Sequence, residues 1–547
     1  MGNDLHVSIT WSEPQKIVTK YGPRWLRWWV IPKEWLEGFF VFWEKQKGNL
    51  KAQGYSISKN KLGNWTLNEW QMRKCDFRDK FGKNNEPVEI KNIPTTSSLP
   101  VYEVKNSSGL RDWQVPNVSK LCSSILKHKA ALDGSDTGSG KTYSAVAVSR
   151  ELKLKIGVVC PKAVITAWKR VIEKHFGMKA EFVLNYESVK TGKYKNIGEW
   201  KFVSKISSRQ YFQWNVHKDT LIIFDESHKL KGHGTQNAEI ALAAKKQKFN
   251  ILCCSATNAI NPVELKAVGL ILGVYKSGKW TAFLREHGCE QGRFGWEFNG
   301  DKNVLKKLHY DLFVERGVRI KKDDIPGFPD CDTIAEAYNV DESSEKELNA
   351  IYKEMDKELT LLKAKCKNTK EWQINAMVIQ LRARQKAELI KIPLLVDMAE
   401  EAIEDGMSVV IFLNFTESIK ALSKRLRTKC IVWGENKGDE RQNNIDDFQS
   451  DKERLILVNL KAGGSGLSLH DLNGTYPRMS LISPSPSAVD LRQCLGRIHR
   501  DGAKSKALQK IVYVANTEEQ DTCDRVKMKL QNLDTINDGD VAVGNNF

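Results

Sequence analysis

Four short apolar runs, each stopping at a polar motif, constrain this chain more than any other feature. Ile156-Gly-Val-Val-Cys160 ends at Pro161-Lys162, and Glu181 to Asn185 leads into Tyr186-Glu187. Leu221-Ile-Ile-Phe224 ends in Asp225-Glu-Ser-His228, and Asn250 to Cys254 ends in Ser255-Ala-Thr257. Unbroken apolar runs of this length suit strands buried on both faces, and helical stretches separate them. The alternation predicts an α/β fold, a parallel sheet wound on both sides. Ligands of such sheets bind at the carboxyl ends of the strands, where all four motifs stand.

A second series of the same kind follows. Ser408 to Phe415, Cys430 to Trp433, Leu455 to Val458 and Met479 to Ile482 read as strands. Helices are expected at Glu417 to Arg427, Arg441 to Gln449 and Ala488 to Arg500. Between the series, Glu345 to Lys367 and Glu371 to Ala402 are charged and helical, with no strand signal from 340 to 405. The expected organisation is a basic, Trp-rich N-terminal α+β domain with its linker at 1–105 and a first parallel-sheet domain at 106–335. A helical segment at 336–402, a second parallel-sheet domain at 403–533 and a disordered Gly-, Asn- and Asp-rich tail at 534–547 follow.

Half of the sixteen tryptophans fall in the N-terminal part, interleaved with Arg and Lys. Pro32 to Gly48 has helical spacing, and Tyr55 to Lys59 with Asn64 to Leu67 reads as a hairpin. Most of these aromatics are expected to fill a small core, leaving Arg24 to Trp29 as the surface candidate for stacking on bases.

Chemistry starts in Asp133-Gly-Ser-Asp-Thr-Gly-Ser-Gly-Lys-Thr142. Small residues at Ser135, Thr137, Gly138, Ser139 and Gly140 let backbone N–H groups converge on an anion at the start of a helix. With Asp136, they make up the expected phosphate loop. Lys141 is placed to reach the outer phosphates of ATP, and the Thr142 hydroxyl to hold Mg²⁺. Phosphoryl transfer to water also needs a carboxylate on the metal and a base for the water. Asp225 suits the first role and Glu226 the second. The charge developing on the γ-phosphate calls for cations opposite. Arg497 and Arg500, three apart on one face of the expected helix, supply planar, permanently charged forks.

A formal net charge of +18 points to a polyanionic partner, nucleic acid first. The eleven cysteines include no Cys-x-x-Cys, so neither a structural zinc site nor a disulfide framework is expected. The first residues show no basic-then-apolar pattern, so no signal peptide is expected, and Gly2 is not followed by the Ser or Thr at position 6 that myristoylation favours. No apolar run reaches the ~18 residues of a membrane span. An intracellular, cytoplasmic protein is expected, or a nuclear one if its source is eukaryotic.

Gln114, the phosphate loop, Asp225-Glu-Ser-His228, Ser255-Ala-Thr257 and Gln493-Cys-Leu-Gly-Arg-Ile-His-Arg500 stand in the order seen in superfamily 2 helicases. The chain resembles that superfamily over about residues 110–515. It resembles the Snf-type DNA translocases through Val159 to Trp168, Asn185-Tyr-Glu187, Ile445 to Gln449, Leu457 to Leu469 and Arg497 to Arg500. The resemblance implies two RecA-like domains with ATP between them. It implies adenine contact by Gln114 and coupling of hydrolysis to movement by His228, Ser255, Thr257 and Gln493. Arg497 and Arg500 become arginine fingers. Lys162, Lys461, Gly463, Gly464 and Ser465 become nucleic-acid contacts, the glycines bringing backbone close to phosphate. The partner implied is DNA, with duplex tracking favoured over strand separation. Gly496, in place of the branch's usual acid, and Asp501-Gly-Ala, in place of Ile-Gly-Gln, are departures. The alternatives are an RNA helicase and a non-catalytic nucleic-acid-binding protein with a relict motor fold.

Overall fold

The computed structural model describes residues 99–203, 210–232, 234–292, 295–338, 340–365, 369–436, 439–463, 467–515 and 517–538, together with short strands between 10 and 68. Met1–Asn92 and Ile93–Phe547 are separate compact units. In the first unit, Ser58–Lys59 pairs antiparallel with Trp65–Asn68, as the hairpin signal predicts. Gln15–Thr19 pairs with Gly22–Leu26. The helix expected at Pro32 to Gly48 lies outside the described residues.

The second unit starts before the expected linker ends. The backbone N–H groups of Lys105 and Asn106 donate to the two carboxylate oxygens of buried Glu151 at 2.8 and 3.0 Å. The Tyr102 hydroxyl donates to the Glu151 carbonyl. Residues 102–106 are therefore fastened to the first parallel-sheet lobe.

That lobe has six strands: β1 (Ala130–Asp133), β2 (Lys155–Cys160), β3 (Ala180–Asn185), β4 (Thr220–Asp225), β5 (Asn250–Cys254) and β6 (Gly317–Val318). Their order in the sheet is β6-β1-β5-β4-β2-β3. All neighbours are parallel. Leu221, Ile222, Ile223 and Phe224 of β4 have no exposed surface. Each contributes roughly 1.5–3 kcal/mol of burial, which is why the strand reads as a continuous apolar run. Register then builds the site: Asp133 and Asp225 both pair with Cys254. Gly134, Glu226 and Ser255 therefore leave the sheet side by side. α1 (Val115–His128) precedes β1, and α2 (Lys141–Glu151) follows the phosphate loop. α3 (Lys302–Phe313) packs near β6. A hairpin, Gly198–Phe202 with Gln210–Trp214, is inserted between β3 and β4; its periodicity is hidden by aromatics used for anchoring.

The second lobe also has six parallel strands: β7 (Cys331–Tyr338), β8 (Ser408–Leu413), β9 (Ile431–Val432), β10 (Leu455–Asn459), β11 (Arg478–Ile482) and β12 (Ala507–Val514). The order is β7-β12-β11-β8-β10-β9, again all parallel. The two RecA-like sheets match the expected fold class. β7 corrects the expected boundary: residues 331–338 belong to the second sheet, through eight pairs with β12, and not to the first domain or a helical segment. The polar residues along β7 hid it, because an edge strand is buried on less of its surface.

The intervening helices are α4 (Glu342–Lys365), α5 (Thr369–Ile390) and α6 (Ile392–Glu404). Pro393 in the first turn of α6 divides what reads as one helix from Glu371 to Ala402. α7 (Ala488–Leu495) is followed by the closing helix α8 (Glu518–Asp538). α8 overturns the disorder expected at 534–538; the rest of the expected tail, 539–547, lies outside the described residues. The early part of α8 packs in the second lobe through Val526, Leu530 and Leu533, whereas Ile536 is buried in the core of the first. Asn537 donates to the Ala256 carbonyl at 3.0 Å, and the Ile536 carbonyl meets His309. Polar composition suggested disorder; burial against the other lobe gives those residues a fixed place.

Candidate active site

Between the lobes lies a cleft of about 660 Å³, lined by the phosphate loop on one side and by Ser468, His470, Arg497 and Arg500 on the other. Gly138 and Gly140 adopt φ of +86° and +82°, a left-handed backbone that opens the loop toward the cleft. Ser135, the departure from the usual Gly or Ala, is buried, and its hydroxyl accepts the Ile320 N–H at 3.1 Å. Lys141 Nζ donates to the carbonyls of Ser135 and Asp136, both at 2.8 Å, so the ammonium stays at the loop's mouth. Asp136 faces Arg319 at 2.9 Å, which fixes the loop from the strand beside it. Gln114 lies on the loop. Its amide donates to the Ser139 and Gly140 carbonyls at 3.2 Å, and its oxygen accepts the Arg111 N–H. Tyr143 and His175, ring edge to face at 4.8 Å, line the same end of the cleft.

At the end of β4, the Trp168 indole donates to Asp225 Oδ2 at 2.8 Å, and the Tyr186 hydroxyl donates to the Asp225 carbonyl. Glu226 turns out of the strand with φ 53° and ψ 53°. A non-glycine residue held there costs of order 1–3 kcal/mol and persists only when its surroundings demand it. Here the demand is visible. Glu226 Oε2 lies 3.2 Å from His228 Nδ1 and accepts from the Gln493 amide at 3.2 Å. The same His228 nitrogen faces Ser255 Oγ at 3.2 Å and Thr257 Oγ1 at 3.3 Å. Gln493, Glu226, His228, Ser255 and Thr257 thus form one connected network across the cleft.

Electrostatics divide the two carboxylates. Burial, then the neighbouring Glu226 charge, pushes Asp225 above the usual carboxylate range. Burial also opposes ionisation of Glu226, but His228, Lys141 and Arg497 outweigh it and hold the carboxyl below its usual range. On the opposite wall, burial and the adjacent Arg497 pull Arg500 down to about 9. Burial lowers Arg497 as well, opposed by Glu226. Two guanidinium groups crowded beside a phosphate loop make a wall that an anion relieves.

One sequence expectation fails here. Arg497 and Arg500 are not on a helix; α7 stops at Leu495, and both arginines lie on the turn beyond Gly496. The turn is tied down instead by the segment after β10. Arg497 Nη1 donates to the Leu467 carbonyl at 3.1 Å, the Leu469 N–H returns to the Arg497 carbonyl at 3.0 Å, and Arg500 bonds the Ser468 hydroxyl.

Comparison with known proteins agrees with this arrangement. Residues 107–259 match the family described as type III restriction enzyme, res subunit, and residues 387–502 match the helicase conserved C-terminal domain. A protein of Acanthamoeba polyphaga mimivirus named as an ATP-dependent RNA helicase, L364, is 33% identical over 478 residues, 82% of this chain and 88% of the relative. The chain belongs to the superfamily 2 helicases, of Snf type. The SWI/SNF-related regulator of chromatin subfamily A-like protein 1 of Drosophila melanogaster is 23% identical, over 89% of this chain and 65% of its own length. The Sulfolobus solfataricus SWI2/SNF2 ATPase core, solved with dsDNA, aligns loosely, at 16% identity and TM-score 0.31 over 81% of this chain and 96% of that one.

This Snf-type protein is a nucleic-acid-dependent ATPase that takes a nucleotide. Its predicted nucleic-acid residues are partly located. Lys162 follows β2 and is exposed. Lys461 and Gly463 lie in the short helix Leu460–Gly463 after β10, with Lys461 exposed beside Asn414 and Phe415. Gly464 and Ser465 lie outside the described residues. Several site residues escaped the sequence reading. Trp168 and Tyr186 sat in the stretches that carry the resemblance, but nothing local said that both serve Asp225. Ser468 and His470 adjoin the glycine run. Asp538 pairs with Arg319 at 2.7 Å and Asp534 with Arg492 at 2.7 Å, and no sequence signal marks either pair. No helix among the described residues is long and apolar enough to cross a membrane.

Proposed function

We propose that this ATPase is a DNA translocase that couples ATP hydrolysis to movement along duplex DNA. The supporting observation is the direct bonding of the arginine turn to Leu467 and Ser468. Those residues end the run from Lys461 that carries the Snf-type resemblance. A shift of that run on a phosphate backbone pulls on Arg497 and Arg500, and the reverse holds when the arginines engage nucleotide.

The chain's own residues divide the work. The phosphate loop and Lys141 bind the nucleotide's phosphates, and Gln114 with its neighbours holds the base side. Asp225 and the Thr142 hydroxyl fit Mg²⁺. Two adjacent, partly buried carboxylates at the end of β4 line the cleft together with Thr142, a donor set that suits a cation. When bound, the metal neutralises developing phosphate charge. Glu226 orients the attacking water and takes its proton at Oε1 or Oε2. Arg497 and Arg500 stabilise the transition state from the second lobe. His228, Ser255, Thr257 and Gln493 transmit the state of Glu226 across the cleft. Lys162, Lys461 and the Gly463-Gly464-Ser465 run contact phosphates, so movement is largely sequence-independent. The units proposed are an N-terminal accessory domain, two motor lobes and the helical segment between them.

The test is the ATPase rate with duplex DNA, single-stranded DNA, forked DNA and RNA, with displacement of a triplex-forming third strand as the report of tracking. Duplex-stimulated ATPase with triplex displacement is expected. A second reading, an RNA helicase, is favoured by the name its mimivirus relative bears. Stimulation by RNA alone, without triplex displacement, decides for it.

A further inference from the structure

Gly496 is the residue of the arginine turn that departs from the Snf-type pattern, and its own backbone does not explain it. Its φ is −92° and its ψ 13°, a conformation any L-residue adopts. A side chain is excluded from outside. A Cβ built at Gly496 would lie 2.7 Å from Thr137 Cβ and 3.2 Å from Thr137 Cγ2. Thr137 belongs to the phosphate loop of the other lobe. Rotating its side chain does not relieve a Cβ–Cβ overlap, so either the loop or the turn must move. The turn and the loop also meet one residue on, at ordinary van der Waals distance: a Cβ at Gly138 would stand 3.4 Å from Arg500 Cα.

Three functional side chains hang from this one point. The Gly496 N–H donates to the Gln493 carbonyl at 3.2 Å, and Arg500 Nε donates to the Gly496 carbonyl at 3.1 Å. Arg497 follows directly, and Gln493 three residues earlier reaches Glu226. Displacing Gly496 from the loop withdraws Gln493, Arg497 and Arg500 together.

We propose that Gly496 is a positioning residue for ATP hydrolysis, the seat that lets the arginine turn of the second lobe close on Thr137 of the phosphate loop. Positions 496 and 137 are a matched pair: a branched side chain on the loop demands none on the turn. The inference concerns the ATPase common to both substrate readings, so the choice between DNA and RNA does not bear on it.

The experiment measures kcat, KM and affinity for a fluorescent ATP analogue in the full chain with saturating stimulating nucleic acid. Gly496→Ala is expected to lower kcat roughly tenfold to a hundredfold, as ångström-scale misplacement of catalytic groups does. Analogue affinity should stay within about twofold, because the loop itself is intact. The decisive comparison repeats the change in Thr137→Gly and Thr137→Ala backgrounds. With no side chain at 137, Gly496→Ala should cost less than about twofold relative to its own background, and with alanine an intermediate amount. An equal loss in all three backgrounds, or no loss in the parent, overturns the proposal. Thermal melting of each variant separates misfolding from misplacement, and a Gly496→Ala chain that melts well below the parent also overturns it.

Discussion

The two walls of the cleft are built in opposite ways. On the phosphate-loop wall the loop is held from within the first lobe: Lys141 reaches carbonyls five and six residues back, Ser139 bonds Asp136, and Ser135 accepts from Ile320. On the arginine wall the turn is held within its own lobe, Arg497 by Leu467, but its contact with the carboxylates crosses the cleft: Gln493 reaches Glu226 of the first lobe. The first wall survives lobe separation, whereas the second works only when the lobes meet. This division predicts that nucleotide grip belongs to one lobe and hydrolysis to the pair.

The comparison breaks first at Lys141→Ala. Loss of the loop's cation should abolish both nucleotide binding and hydrolysis. Measurable turnover with normal affinity would show that the grip does not reside in this wall. Arg497→Ala tests the other wall. The expected loss is roughly a thousandfold in kcat, typical of an arginine finger, with analogue affinity nearly unchanged. A loss confined to affinity would move Arg497 to the gripping side.

Glu226→Gln sits where the walls meet and should cost about a hundredfold or more in kcat while retaining nucleotide. The amide keeps the shape and can still bond Gln493, so the lobes should stay together; failure to bind nucleotide would remove Glu226 as the base. The smallest change expected is Asp538→Asn at the end of α8. It weakens the pair with Arg319, which keeps Asp136, so up to about 3 kcal/mol of stability should go, the low end for a broken buried pair. The ATPase rate should fall only a few-fold, as the loop loosens. Calorimetric melting reads the first effect, and an unchanged melting temperature would mean that α8 does not brace the first lobe.

The same division describes how far the sequence could be read. Apolar runs buried on both faces announced most strands of both sheets, since burial leaves no room for polar residues within them. The loop from Thr137 to Thr142, Asp225, Glu226, Arg497 and Arg500 could be named as candidates because the chemistry expected of them demands those residue types, and the structure brings them to one cleft. β7 was not, because an edge strand tolerates Asp332, Thr333 and Glu336. The arginines were placed on a helix because spacing of three fits a helical face; the turn after Leu495 presents them just as well.

The residues alone marked the carboxyl edge of each sheet and the groups proposed to meet a phosphate. Only tertiary structure decided what those groups face. Trp168 and Tyr186 reach Asp225 because β4, β2 and β3 lie side by side in a definite register. Glu226 accepts its left-handed turn because His228 and Gln493 converge on it. The end of α8 is ordered because the first lobe buries Ile536 and Asn537. Such contacts join residues far apart in the chain, and their energy depends on position and burial rather than on residue type, so no local pattern records them.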